Sequence, residues 1–235
     1  MSDFTSDQKQ SVYDVIRKRR DVRAFKSDPV PDETLARILS AAHQAGSVGF
    51  MQPWNFILIR GAEQRRAIWE HVNAERLAAA NEFSGEKREK YLSFKLEGIL
   101  DAPVNICVTC DPTRHGPAVL GRSTIRETDV YSTCCAIQNL WLAARVENIG
   151  VGWVSILRRE FVQSALNLPP HVIPIAYLCL GYPVAFENKP MLETQGWLPR
   201  LKLEDLVFED AWERPARDDF RSTVRKIDSN SPDNN

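Results

Sequence analysis

The segment Arg17–Arg23, RKRRDVR, carries five basic side chains around one carboxylate, in a chain whose formal net charge is −1. Guanidinium groups bind phosphate oxygens in a bidentate manner, so the segment is a candidate anion site. A solvated basic helix end that complements the helix dipole explains the charges equally well. Asp21 favours the functional interpretation, because neighbouring cations are expected to keep its carboxylate ionised and available as a base. A structural Asp–Arg pair is the alternative.

Two further segments could contact a small ligand. The loop Ser47–Phe56, SVGFMQPWNF, places amide groups and Trp54 between a predicted helix and a predicted strand, which suits a flat ligand, although such loops are common. The segment Gly150–Ser155, GVGWVS, does not match a dinucleotide fingerprint, because it leads from a helix into a strand and lacks the third glycine. Ser155 is either a ligand-facing hydroxyl or a turn residue.

Cys107 and Cys110 form a CxxC motif inside VNICVTC, an alternating segment typical of a strand. Side chains at i and i+3 of a strand point to opposite faces, so this pair cannot chelate one ion. The chain has five cysteines, and its four histidines show no metal-binding spacing. The sequence therefore predicts free, buried thiols for this motif and no metal site.

The elements that must position these residues follow from apolar periodicity. Helices are predicted at 6–19, 32–45, 63–80, 86–100, 129–148 and 159–167, and strands at 55–60, 104–110, 151–156 and 173–181. The helix at 129–148 is the most apolar, and we expect it to be buried nearly all round. The polar segment 111–128 is long enough to be a functional or mobile loop. The pattern indicates one α/β-type domain with a trailing arm.

Composition limits the classes of function. With 235 residues and 43% hydrophobic residues, the chain can bury a sizeable core as a soluble domain. Its 30 basic and 31 acidic residues give no long-range attraction for nucleic acid or an anionic membrane. No membrane span and no secretory signal are predicted, so we expect a cytoplasmic protein. We expect a single domain at 1–212 and a disordered tail at 213–235.

Three motifs, taken in order, resemble the FMN-dependent nitroreductase superfamily. They are the segment RRDVRAF ending at Phe25, the loop SVGFMQPW at Ser47–Trp54, and Arg200 within GWLPRLKLEDLVFE. The resemblance covers nearly the whole chain. It implies an α+β, three-layer sandwich with a mixed central sheet flanked by helices, a homodimer with an extended C-terminal arm, and flavin bound at the subunit interface.

Asp21 stands where common nitroreductases carry serine, and with GWVS, VTCD and LEDLVFE it resembles the 5,6-dimethylbenzimidazole synthase branch. That resemblance implies that reduced FMN is a substrate, with molecular oxygen as co-substrate and no metal. The products would be 5,6-dimethylbenzimidazole, the lower ligand of vitamin B12, and erythrose 4-phosphate. It places the catalytic positions on Asp21 and Ser155. The implied FMN contacts are Arg19, Arg20, Asp21, Val22, Arg23, Ser47, Gln52, Leu96, Ser155 and Arg200.

Two alternatives stay open. One is a conventional FMN-dependent NAD(P)H nitroreductase or quinone reductase, from which Asp21 distinguishes the chain, and the other is a non-catalytic flavin-binding protein. The main interpretation implies a separate NAD(P)H-dependent flavin reductase as partner. Destructive oxidation also requires exclusion of water, so the helix at 86–100, with Leu96, and the loop at 111–128 are lid candidates as well as ordinary surface elements.

Overall fold

A computed structural model describes residues 3–229, and the chain divides into two compact units at Phe186/Glu187. The first unit contains all four strands of the sheet and the two layers of helices that cover it. Its helices are α1 (Ser6–Lys18), α2 (Asp32–His43), α3 (Ala62–Ala79), α4 (Gly85–Ser93), α5 (Thr128–Val146) and α6 (Arg159–Ala165). Its strands are β1 (Trp54–Ile59), β2 (Val104–Cys110), β3 (Gly150–Val154) and β4 (Ile173–Gly181).

The sheet has the order β1-β2-β4-β3, and each neighbouring pair of strands is antiparallel. The expectation of a mixed sheet was therefore wrong for the described strands. The segment that does run parallel to β3 makes a single bridge, between Asp21 and Val151, and is too short to form a strand.

Alternating side chains of β2 separate two apolar layers, as the strand pattern predicts. Val104, Ile106 and Val108 pack in the cluster that contains the buried faces of α2 and α5. Cys107 packs on the other face with α3 and α6, whereas Cys110 lies beside Thr133 of α5. This arrangement confirms the three-layer sandwich and the prediction that the two thiols are free, buried and on opposite faces.

Helix α5 is covered on one face only within the first unit. Its buried positions include Ala136, Leu140 and Ala144, which face the sheet and α2. A second set of apolar or thiol side chains on the helix is exposed: Tyr131, Cys134, Cys135 and Val146. The expectation that this helix is buried nearly all round was therefore wrong, because composition alone does not say how many neighbours a helix has.

The predicted helix at 86–100 is also shorter than expected. Helix α4 ends at Ser93, and the chain is extended from Phe94. Gly98 then packs so closely on Phe25 that a Cβ atom there would lie 2.5 Å from the ring. The extended chain between these two points brings Leu96 toward the segment at 20–25, which a continued helix would not do.

The second unit contains α7 (Met191–Thr194), a 3₁₀ turn at Leu203–Asp205 and α8 (Asp218–Ser229). Glu204 forms ion pairs with Arg221 and Arg225 on α8, and Val224 is buried. Residues 218–229, within the predicted tail, form α8, and residues 230–235 lie outside the described part; the disorder of the tail stays a prediction. The boundary of the first domain at 212 stays a prediction. Among the residues described, no helix is both long and apolar enough to cross a membrane.

Candidate functional site

The segment that carries Asp21 lies beside strand β3. The Val22 N–H donates to the carbonyl of Val151 at 2.9 Å, next to the Asp21–Val151 bridge. This approach is possible because β3 has glycine at positions 150 and 152. A Cβ atom on Gly152 would lie only 2.2 Å from the Val22 carbonyl oxygen. The GVG pattern therefore allows two backbones to meet, and Val22 itself is buried as part of this contact.

The Asp21 carboxylate is held from two sides. Its Oδ1 accepts a hydrogen bond from the Trp153 N–H at 3.0 Å, and its Oδ2 forms an ion pair with Arg23. Burial raises the pKa of Asp21, and this effect exceeds the opposing effects of Arg23, the Trp153 amide and Arg19. The expectation that neighbouring cations favour the ionised form was therefore wrong in its net direction. About 34% of the side chain remains exposed, so a ligand can reach it.

Arg23 bonds to protein atoms in three places. Besides Asp21, its Nη1 donates to the carbonyls of Leu96 at 2.5 Å and Trp153 at 3.0 Å. A guanidinium group presents several donors in one plane, which suits this set of acceptors. Direct contact of Arg23 with FMN stays a prediction, but the contacts within the chain assign it a role in holding Asp21 and Leu96 together.

The remaining cations of the basic segment also have neighbours. Arg17 and Lys18 pair with Asp14 on α1, which favours the helix-end interpretation for these two side chains. Arg20 is buried and donates to the carbonyls of Arg17 and Arg19 at 2.5 Å and 2.8 Å. The Arg19 guanidinium lies 4.8 Å from the centre of the Trp141 ring, a cation–π contact. Contacts of Arg19 and Arg20 with FMN stay predictions.

The loop Ser47–Gln52 has an unusual backbone. Gly49, Phe50 and Gln52 have φ values of 57°, 53° and 45°, in the left-handed region. For the two residues other than glycine this conformation is strained, and such strain clusters at ligand sites. Ser47 Oγ accepts a hydrogen bond from the Gln52 N–H at 3.2 Å, so these two predicted site residues do lie together. The Phe50 side chain is 79% exposed.

Two arginines that sequence reasoning missed hold this loop. Arg114 donates to the carbonyls of Gln52 at 2.9 Å and Trp54 at 3.1 Å. Arg122 forms a buried ion pair with Asp129 at 2.8 Å and donates to the Arg114 carbonyl at 3.2 Å. The sequence signal was the presence of three arginines, Arg114, Arg122 and Arg126, in a segment that leads into an apolar helix. Segment 111–128 thus supports the loop at 47–52. The role of this segment as a lid stays a prediction.

Ser155 follows β3 two residues after Trp153 and is exposed. It borders a cavity of about 220 Å³ that Tyr177 and Cys107 also line. Burial raises the pKa of the Cys107 thiol to about 12, so this thiol is not a nucleophile at neutral pH. Arg200 belongs to the second unit and is exposed.

The first unit therefore holds two groups of predicted site residues. Asp21, Arg23 and Leu96 form one group at β3, with Ser155 nearby along the chain, and Ser47 and Gln52 form the other. Both groups are connected to α5. In the loop at 47–52, the Val48 N–H donates to Ser132 Oγ at 3.1 Å. In the segment at 20–25, the Arg20 carbonyl accepts a hydrogen bond from Trp141 Nε1–H at 3.3 Å. At a rise of about 1.5 Å per residue, these two anchors lie about 13 Å apart along the helix axis.

This fold and these two groups of residues place the chain in a known class. Residues 16–182 match the model of the Nitroreductase family, and the chain belongs to that family. Its solved relatives include iodotyrosine deiodinase bound to FMN and 3-iodo-L-tyrosine. That structure superposes with a TM-score of 0.63 at 22% identity, over 75% of this chain and 91% of the other, which is a likeness of fold.

Two relatives with higher sequence identity narrow the class. The chain is 41% identical over 182 residues to the 5,6-dimethylbenzimidazole synthase of Rhodospirillum rubrum. The aligned residues cover 77% of this chain and 86% of the relative. It is 37% identical over 214 residues to the enzyme of that name from Rhodobacter capsulatus, with 90% and 99% covered. The resemblance to this branch of the family is thereby confirmed.

Proposed function

We propose that the protein converts reduced FMN and molecular oxygen to 5,6-dimethylbenzimidazole and erythrose 4-phosphate. The observation that carries this proposal is the half-buried carboxyl of Asp21, held between the Trp153 amide and Arg23. By the family resemblance, this position carries serine in common nitroreductases. Support comes from the similarity to the two synthases and from the family fold.

The described residues fit a flavin substrate. The loop at 47–52 offers a strained backbone and the exposed ring of Phe50, which together suit a flat aromatic ligand. Reduced FMN would supply the electrons that reduce oxygen. Within the chain, Asp21 would accept and hold a proton at its carboxylate, and the Ser155 hydroxyl would orient the substrate by hydrogen bonding. The predicted FMN contacts are proposals as well; for Arg23, whose guanidinium is bound to protein atoms, direct contact with FMN is the alternative to a role in holding Asp21.

A homodimer would bring the two groups of site residues together. They lie far apart in one chain, while α5 between them exposes Tyr131, Cys134, Cys135 and Val146. We propose that this face meets a second copy, so that the loop of one protomer approaches Asp21 of its partner. Sedimentation should give a dimer. In this dimer, the thiols of Cys134 and Cys135 should react with a thiol reagent more slowly than in diluted, monomeric protein. A monomer at all concentrations would contradict the proposal.

The activity can be tested directly with chemically reduced FMN in air. Chromatography should show loss of FMN and appearance of 5,6-dimethylbenzimidazole, and recovery of intact oxidised FMN would contradict the proposal. We expect Asp21→Asn and Ser155→Ala to bind reduced FMN and to lose product formation by about 100-fold or more, the scale of a lost acid–base group. Asp14→Asn is a matched control, because Asp14 also pairs with an arginine but lies on α1.

The raised pKa of Asp21 predicts the acid side of the pH profile. If the base must be ionised, kcat/KM falls as pH decreases through the pKa of the free protein's carboxyl. Because burial raises the pKa of Asp21 above its ordinary value, activity should begin to fall at a higher pH than for an exposed aspartate. A profile that stays flat down to about pH 4 would exclude this role.

The source of electrons separates this function from that of a conventional nitroreductase. We propose that a separate NAD(P)H-dependent flavin reductase supplies reduced FMN, in the cytoplasm where NAD(P)H is regenerated. Adding such a reductase with NAD(P)H should replace the chemical reductant. If this chain alone oxidises NAD(P)H at a comparable rate and returns its flavin intact, the conventional activity is the correct one.

A further inference from the structure

Arg23 connects three parts of the chain that are distant in sequence. Its guanidinium binds the Asp21 carboxylate, the Trp153 carbonyl on β3 and the Leu96 carbonyl after α4. The last two acceptors lie 130 and 73 residues from Arg23. The Arg23 side chain is only 19% exposed, so these acceptors surround most of the group. Bonds between a charged donor and an acceptor are about twice as strong as neutral ones.

The stretch at 94–97 borders a cavity, and its Glu97 carboxylate accepts hydrogen bonds from Trp69 Nε1–H at 3.3 Å and the Ile99 N–H at 2.9 Å. The cavity has a volume of about 290 Å³ and is lined by residues of α3 and by Phe94, Leu96 and Glu97. Arg76 of α3 holds the start of this stretch through the Phe94 carbonyl at 3.1 Å. Leu96 itself is joined to β3 through Arg23, so the position of this carbonyl and the position of the guanidinium depend on each other.

Asp21 and Leu96 have no direct bond in the described chain, but both bind Arg23. If the 94–97 stretch moves away, Arg23 loses an acceptor and becomes free to turn from Asp21. If it is seated, the two carbonyls fix the guanidinium plane, which in turn fixes the Asp21 carboxylate against the Trp153 amide. The shared Arg23 guanidinium is thus the group through which the seating of residues 94–97 and the orientation of Asp21 would be coupled.

We propose that Arg23 is a positioning residue, which makes the orientation of Asp21 depend on the seating of residues 94–97. This inference rests on the proposed function, because it assumes that Asp21 is the catalytic carboxyl. Its consequence is that the carboxylate is correctly aligned only when the 94–97 stretch covers the site, which would couple base alignment to exclusion of water.

Hydrogen exchange of the amides at 94–102 tests the coupling without any need for activity. Coupling is reciprocal, so Asp21→Asn should speed exchange there by about fivefold or more, although Asp21 does not touch that stretch. Arg23→Met should have at least the same effect, and Arg23→Lys a smaller one. If Asp21→Asn leaves exchange at 94–102 unchanged, the coupling is wrong, whether or not the protein is a synthase.

Asp14→Asn is again the matched control, because it weakens an Asp–Arg pair on α1 and should leave exchange at 94–102 unchanged. An equal increase in that control would mean a general loss of stability and would overturn the inference. Should Arg23→Met fail to fold, Asp21→Asn and Arg23→Lys carry the same comparison.

Turnover gives the second readout. We expect Arg23→Met to lower kcat for reduced FMN by about 100-fold while KM changes less than about threefold, because the substrate-binding loop is untouched. Arg23→Lys should recover part of the loss, since it keeps one donor and the charge. A rise in KM with unchanged kcat would instead show that Arg23 binds FMN, and would overturn the positioning role.

Discussion

The two groups of site residues are built in different ways. The segment at 20–25 is held by its backbone, which lies against β3 at the point where Gly152 has no side chain. The loop at 47–52 is held by side chains of other segments, chiefly Arg114 and Ser132. Both groups therefore contain a close backbone approach at a glycine, since a Cβ atom on Gly49 of the loop would lie 2.4 Å from the Leu120 carbonyl oxygen, but the loop relies more on hydrogen bonds from side chains of distant residues.

This difference determines how each group responds to change. A backbone contact with no space for a Cβ atom cannot adjust without moving Asp21, because Asp21 adjoins Val22 in the chain. A loop held by several hydrogen bonds can lose one of them and keep its path. We therefore expect large, cooperative losses in the segment at 20–25 and graded losses in the loop.

The largest effect is expected for Gly152→Ala. The new Cβ atom would lie 2.2 Å from the Val22 carbonyl oxygen, so one of the two backbones must move. We expect a loss of about 3 kcal/mol in the free energy of unfolding and a fall in kcat of about 100-fold or more. Denaturant unfolding and turnover of reduced FMN measure the two effects.

Gly46→Ala is the control for that substitution. A Cβ atom on Gly46 meets no atom within 4 Å, and this glycine precedes the other group. Stability should change by less than about 0.5 kcal/mol, as for most exposed substitutions. Similar losses in the two alanine variants would show that the close approach at Gly152 does not fix the segment.

An intermediate effect is expected for Arg114→Met. This change removes donors to the Gln52 and Trp54 carbonyls and to the Asn55 side chain. Hydrogen bonds to charged groups contribute about 1.5–3 kcal/mol, so we expect a loss of about 2 kcal/mol in stability. KM for reduced FMN should rise by about tenfold with little change in kcat, because Asp21 is not affected. Arg126→Met, an exposed position on the same segment, should leave both constants close to wild type.

Much of the fold was predictable from sequence, because local pattern sets it. Strands 104–110 and 173–181 have the predicted limits, since apolar and β-branched residues there alternate between two buried faces. The exposed face of α5 was not predictable, because apolar side chains look alike whether the protein interior or a second copy covers them. The end of α4 at Ser93 was missed for a related reason: the chain beyond it contacts distant residues, through Arg76 at the Phe94 carbonyl and Phe25 at Gly98, and the local pattern does not show such contacts.

The identities of the site residues were more accessible than their surroundings. Charge clustering and family motifs led to Asp21 and Arg23, but not to the Trp153 amide that binds Asp21 or to the Leu96 carbonyl that binds Arg23. Trp153 and Leu96 reach this group through main-chain atoms, and main-chain atoms leave no signature in residue type. The direction of the Asp21 pKa shift was wrong for the same reason, because burial by residues far away in sequence outweighs the cations nearby.

The smallest effect is expected for Ser132→Ala, which tests the side-chain half of the comparison. Ser132 Oγ accepts from the Val48 N–H at 3.1 Å and donates to the Thr128 carbonyl. Ser11 of α1 makes the same donation to the carbonyl four residues before it, without a loop contact. Each substitution changes the free energy of unfolding, and the difference between the two changes therefore measures the hydrogen bond from Val48 to Ser132 together with the burial of Ser132. We expect this difference to be about 1 kcal/mol, the usual contribution of one hydrogen bond, with kcat unchanged. A loss as large as that of Gly152→Ala would mean that the loop is as rigidly specified as the segment at 20–25.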